Sequence, residues 1–124
     1  MKKTDSKLLD SSAWLSYFFG ENERVKEIVE SCSILYTQAI SLFEIKRKFL
    51  KMSTKKSDSA LDFIKERSII LALDEEIAEK AAEVAHETDL HAIDSMIYTT
   101  ALVAESTLTT LDFDFKGLDQ VVIL

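Results

Sequence analysis

The chain has 124 residues, 47% of them hydrophobic, with two glycines, no proline and a single cysteine, and its 15 basic and 22 acidic side chains give a formal net charge of −7. That length suits one domain able to bury its own core, and the scarcity of glycine and proline excludes a collagen-like, disordered or turn-dense all-β chain. Cys32 has no partner for an internal disulfide and no apolar run approaches the ~20 residues of a membrane span, so the expectation is a cytoplasmic protein with no membrane association.

Taken in order, residues 7–10 form a short strand whose Leu8–Leu9 pair stops at Asp10, Ser11 and Ser12. Asp5, Lys7 and Asp10 also interrupt any signal-peptide core. A helix over 13–19 follows, with Gly20 as its C-cap and Trp14, Phe18 and Phe19 in the core. Residues 21–31 form an amphipathic helix with Val25, Ile28 and Val29 at helical spacing. Residues 34–36 read as a buried strand. The helix over 38–52 carries Ile40, Phe43, Phe49 and Leu50, and polar residues 53–56 end it. Residues 58–66 are helical with Leu61 and Ile64 inward.

The second half repeats this alternation. Residues 68–73 are a β-branched strand, and Asp74 caps a helix over 75–87. Residues 92–104 form a strongly apolar, central helix. Strands at 107–109 and 121–124 close the order. Strands alternating with helices need crossovers between parallel neighbours. The expected fold is therefore α/β, a three-layer α/β/α arrangement with a central, mainly parallel sheet, and residues 1–124 form one domain without internal repeats.

Charge is unevenly distributed: residues 44–67 carry a net +4 and residues 68–124 a net −10. A pI near 4.8 argues against a broadly nucleic-acid-binding surface. The run Lys46, Arg47, Lys48, Lys51, Lys55 and Lys56 could still meet a phosphate backbone locally, or serve only as a solvated helix face and loop.

The carboxylates stand out chemically. Ligands of parallel α/β sheets bind at the carboxyl ends of strands, where strand order reverses. Asp10 ends the first strand, and Asp112 and Asp114 follow the strand at 107–109. Asp94 lies in the first turn of the most apolar helix, and Glu44 sits in an apolar stretch. Burying one such group costs several kcal/mol unless it is compensated, and a divalent cation held by several would compensate it. Taken singly, each has another explanation: the helix dipole for Asp94, an i,i+4 pair with Lys48 for Glu44, turn or cap duty for Asp10 and Asp112. His86 and His91 read as surface or packing residues, and Ser12 lacks a base that would make it a nucleophile.

The segments LLDSSAWLSYF, ISLFEIKRKF, AIDSMIYTTAL and LTTLDFDF, in this order and spacing, resemble the PIN-domain family, and within it the small ribonucleases of the VapC toxin type. The resemblance spans essentially the whole chain and implies a PIN-like fold. It implies an Mg²⁺- or Mn²⁺-dependent endoribonuclease hydrolysing RNA phosphodiester bonds to 5′-phosphate and 3′-hydroxyl products. It maps the acidic quartet onto Asp10, Glu44, Asp94 and Asp112, with Asp114 as an additional acid and Ser12 and Thr110 as hydroxyls that orient the acids. Lys46, Arg47, Lys48 and Lys51 are the corresponding candidates for substrate contact. Implied partners are single-stranded or structured RNA, a small antitoxin protein and a second copy in a homodimer. Two departures are visible: Glu105-Ser106 stand where the family often has a glycine, and Phe113 stands where a polar residue is more usual.

Two other readings remain. One is a PIN-like module that binds RNA or protein without turnover. The other is a receiver-type signalling domain, also acidic and Mg²⁺-binding. The latter needs an adjacent acidic pair after the first strand and a late lysine following a strand. Here Asp10 is followed by two serines, and no clear strand precedes Lys116.

Overall fold

The computed structural model describes residues 5–124; the first four residues of the expected domain lie outside it. The element order is β1 (Lys7–Leu9), α1 (Ser11–Phe19), α2 (Glu23–Val29), β2 (Leu35–Gln38), α3 (Ala39–Lys51), α4 (Ser57–Arg67), β3 (Ile69–Leu71), α5 (Glu75–Thr88), α6 (Ala92–Val103), β4 (Thr107–Thr110), a 3-10 turn (Phe113–Phe115) and β5 (Val121–Ile123). All strand pairings are parallel, in the order β3-β2-β1-β4-β5. β1 therefore sits at the centre, and it pairs with β4, a hundred residues later, through Lys7↔Thr107, Leu8↔Leu108 and Leu9↔Thr109.

The period-2 alternation of strands divides the core between two faces. Leu8 packs with Tyr36, Leu108 and Val121 against Ile97, Tyr98 and Ala101 of α6. Leu9 and Leu35 point the other way, into a cluster with Trp14, Val25, Val29, Ile45, Phe49 and Ile64 from α1 to α4. Helices cover both faces, giving the three-layer α/β/α fold. Apolar burial on both faces is the main stabilising term, and α6 with six buried residues is the most enclosed helix.

Local chemistry sets the helix ends. The side chains of Asp10, Asn22, Gln38 and Asp74 accept hydrogen bonds from the first turns of α1, α2, α3 and α5. Gly20, at φ +66°, closes α1 in the left-handed conformation that a side chain disfavours. At the end of α6 the same device is built without glycine. Glu105 adopts φ +53°, its N–H donates to Leu102 O (3.1 Å) and the Ser106 N–H to Ala101 O (3.0 Å). The position where the resemblance led us to expect glycine is thus a left-handed one occupied by glutamate.

Two sequence expectations, the burial of Phe19 and the end of the second strand, need correction. Phe19 is 40% exposed rather than core, because it is the last residue of α1 and meets only the edge of the cluster, beside Phe49. Phe43 and Leu50 are more exposed still, since α3 buries the stripe Ser41, Ile45 and Phe49 and both fall outside it. The second strand runs to Gln38 rather than ending at Tyr36. Gln38 can be buried because its Nε2 donates to Thr100 Oγ1 at 2.7 Å while its Oε1 accepts from Ile40 N.

Candidate active site

β1 and β4 are the adjacent strands from which the chain winds outward in opposite directions, so a crevice opens beyond their carboxyl ends. Asp10 and Thr110 stand there. Asp10 is buried and all of its carboxylate is engaged. Oδ1 accepts from Ser12 Oγ (2.7 Å) and Ala13 N (3.0 Å), and Oδ2 accepts from Thr110 Oγ1 (2.6 Å). Ser12 Oγ also accepts from Leu111 N (3.0 Å), and Thr110 Oγ1 from Asp112 N (2.9 Å). The two hydroxyls tie the end of β1 to the segment after β4 and fix the orientation of Asp10. Asp10 is therefore both a helix cap and a member of the acidic site.

Asp94 in the first turn of α6, with Asp112 and Asp114 around the 3-10 turn, converge: one carboxylate oxygen from each lies within 4.8 Å of the others. Asp112 caps the turn through Asp114 N (2.9 Å), which presents both carboxylates on one side. Glu44 comes from α3, and its Oε1 is buried with no hydrogen-bond partner. A pair with Lys48 does not satisfy that atom.

The electrostatics follow from burial and like charge. Burial pushes the Asp10 carboxyl above its ordinary range, the Asp112 charge adds to this, and the bonds from Thr110, Ser12 and Ala13 oppose it. Glu44 is raised chiefly by burial and further by Asp94 and Asp10, with Ser11 acting against. Asp94 is raised by burial, then by Asp112, Asp10 and Asp114, with His91 opposing. These mutual repulsions put Asp10, Glu44, Asp94 and Asp112 in one electrostatic unit, although among the described residues only Asp94, Asp112 and Asp114 approach closely enough to share one ion.

The donor set fits a hard divalent cation. It offers oxygen only, in a crowd of carboxylates that destabilise one another when ionised, with an unpartnered buried oxygen on Glu44 beside them. Asp94, Asp112 and Asp114 are the residues that would hold such an ion.

The basic run divides. Arg47, Lys48 and Lys51 line a groove of about 290 Å³ with Ser11, Leu15 and Glu44, directly beside the acids. Lys46 lines a second groove with Phe43, Arg47 and Leu50, and Lys56 a third with aromatic residues of α1, α3 and α4. Two features were missed in the sequence. His91 lines a pocket of about 170 Å³ with Asp94 and Asp114; its place one helical turn before Asp94 was the available signal. Ser11 reaches Glu44, a contact between α1 and α3 that no local pattern announces.

Residues 7–121 match the PIN domain family. None of the curated proteins matches the chain. Among solved structures it resembles FitAcB from Neisseria gonorrhoeae at 27% identity, over 95% of this chain and 96% of that one, with a TM-score of 0.68. It also resembles a toxin–antitoxin complex from Klebsiella pneumoniae (22% identity, 94% and 95% covered, TM-score 0.77). A third likeness is to VapC20 of Mycobacterium tuberculosis, described as a sarcin-ricin loop cleaving toxin (14% identity, 93% and 98% covered, TM-score 0.69).

Proposed function

The chain belongs to the PIN-domain family, and from that premise we propose that it is a metal-dependent endoribonuclease, the toxin of a toxin–antitoxin pair. The observation that carries the reading is the convergence of Asp94, Asp112 and Asp114 beside Asp10 at the reversal point of the sheet. Residues 1–124 act as one PIN-like domain.

In this reading Asp94, Asp112 and Asp114 hold Mg²⁺ or Mn²⁺. When bound, the ion supplies positive charge to the phosphate oxygens and acidifies an attacking water. Asp10, kept in one orientation by Ser12 and Thr110, completes the negative field around the ion. Glu44, whose Oε1 is buried without a partner, would orient that water. Arg47, Lys48 and Lys51 meet phosphates along the adjoining groove, and Lys46 extends this surface onto the neighbouring groove that Arg47 also lines. The hydrolysis yields a 5′-phosphate and a 3′-hydroxyl.

The likeness to proteins described as toxin–antitoxin complexes supports a small antitoxin as partner, one whose Arg or Lys side chain enters the acidic crevice and neutralises it. We further propose a homodimer in the cytoplasm; among the described residues no helix is long and apolar enough to cross a membrane. The test is cleavage of single-stranded RNA by purified protein with Mg²⁺ or Mn²⁺, with excess chelator, and with Asp10→Asn. Cleavage that needs the metal and Asp10 is the expected result. Cleavage indifferent to both would overturn the reading.

A further inference from the structure

Phe113 is the most exposed large hydrophobic side chain among the described residues, at 73%, and it stands between two of the converging carboxylates. Its backbone is tightly held. Asp112 Oδ1 accepts from Asp114 N, the Lys116 N–H donates to Phe113 O at 3.0 Å, and Phe115 anchors the turn as a fully buried member of the core. The turn thus spends one phenylalanine on anchoring and fixes the other in solvent, where its burial is forgone.

An exposed aromatic face on a rigid turn matches one ligand chemistry particularly well, because every nucleobase has a π-face that stacks on such a ring regardless of sequence. The surroundings favour the same ligand. Lys116, three residues on and exposed, is the only lysine or arginine after Lys80. Arg47, Lys48 and Lys51 line the groove beside Glu44. Cations thus stand next to the turn in the chain and in the groove beside Glu44, where a phosphate backbone would find them. Phe113 is the chain neighbour of both Asp112 and Asp114 on this short turn, which puts its exposed ring in the same segment as two of the converging acids.

We propose that Phe113 is a stacking platform for an unpaired nucleobase of single-stranded RNA, placing the phosphodiester beside it over Asp94, Asp112 and Asp114. This rests on the ribonuclease reading for the identity of the ligand, and it adds a preference for unpaired over paired RNA. Phe113 positions the substrate and takes no part in the bond changes.

The test is the affinity of a short fluorescein-labelled single-stranded RNA and of its duplex, by fluorescence anisotropy in Ca²⁺, for the wild type, Phe113→Ala, Phe113→Leu and Phe113→Trp. Sedimentation of each variant alone accompanies it. Loss of the ring weakens single-strand binding by about tenfold or more, leucine does not rescue it, tryptophan does, and the duplex affinity does not change. Unchanged single-strand affinity in Phe113→Ala, rescue by leucine, equal loss for the duplex, or no single-strand binding by the wild type each overturns the proposal. A change in self-association with RNA affinity intact overturns it in favour of a contact between copies. Metal-dependent cleavage is scored separately. Wild type that binds through Phe113 without cleaving refutes the nuclease reading alone, and cleavage with affinity indifferent to Phe113 refutes the platform alone.

Discussion

Asp10 and Asp94 contribute to the same negative field, and burial holds both above the ordinary carboxylate range, but the chain supports them in opposite ways. Asp10 accepts bonds from Ser12, Ala13 and Thr110 and starts α1. Asp94 receives neither a cap role nor a favourable neighbour beyond His91, and it faces Asp112, Asp10 and Asp114. The fold compensates the first acid with hydrogen bonds; the second is left facing three like charges and one histidine. A carboxylate that faces three like charges and a single histidine marks function more sharply than one that is merely buried.

The comparison is broken most severely at Asp94. Asp94→Asn is expected to lower cleavage by more than the roughly 10–100-fold that loss of a supporting contact costs a metal site, while the chelated protein melts no lower than the wild type. A variant that melts several degrees lower in chelator would make Asp94 structural.

Metal removal is the next largest effect. At a hundred times its Kd, Mn²⁺ stabilises a one-site folded protein by about 2.7 kcal/mol, and Asp94→Asn should forfeit most of this in thermal melts. Without metal, the raised carboxyl pKa values of Asp10, Glu44 and Asp94 favour the protonated folded state. Their contribution to stability is therefore full below the unfolded carboxylate range and is lost as pH rises through the raised folded values. Melts in chelator should show that decline, and it should be shallower in Asp94→Asn. An apo stability that climbs with pH over the same range would contradict the repulsion.

Asp10→Ala should cost about 2 kcal/mol in chemical denaturation, from the lost cap and the stranded hydroxyls, in addition to losing cleavage. Equal stability to the wild type would erase the distinction between the two acids. The smallest effect provides a control. Glu105→Gly relieves a left-handed glutamate and should stabilise by about 0.5–1 kcal/mol without altering the metal response.

Much of this was legible in the sequence, and for physical reasons. The end of the first strand at Asp10, the cap at Asp74 and the C-cap at Gly20 are written in single residues, because each satisfies a local backbone demand, whereas β4 runs one residue past the expected Thr109, to Thr110. The closeness of Asp114 to Asp94 was not legible. It depends on a 3-10 turn whose three residues are too short to show periodicity, and on Phe115 seating that turn in the core. Phe19 misled because hydrophobicity reports a preference for burial, whereas geometry decides which face of a helix has anything to be buried against. Gln38 misled in the opposite sense, since its partner Thr100 lies sixty-two residues away.

The hydrogen bond between Thr110 and Asp10 joins residues a hundred positions apart, and β1 finds its β4 neighbour across the same interval. On the ribosome this orders events in time. A nascent chain grown as far as α6 already carries Asp10, Glu44 and Asp94, but it lacks β4, the hydroxyl that clamps Asp10 and the turn that brings Asp112 and Asp114. The complete acid set is thus in place only once synthesis has passed residue 114 and β4 has found β1.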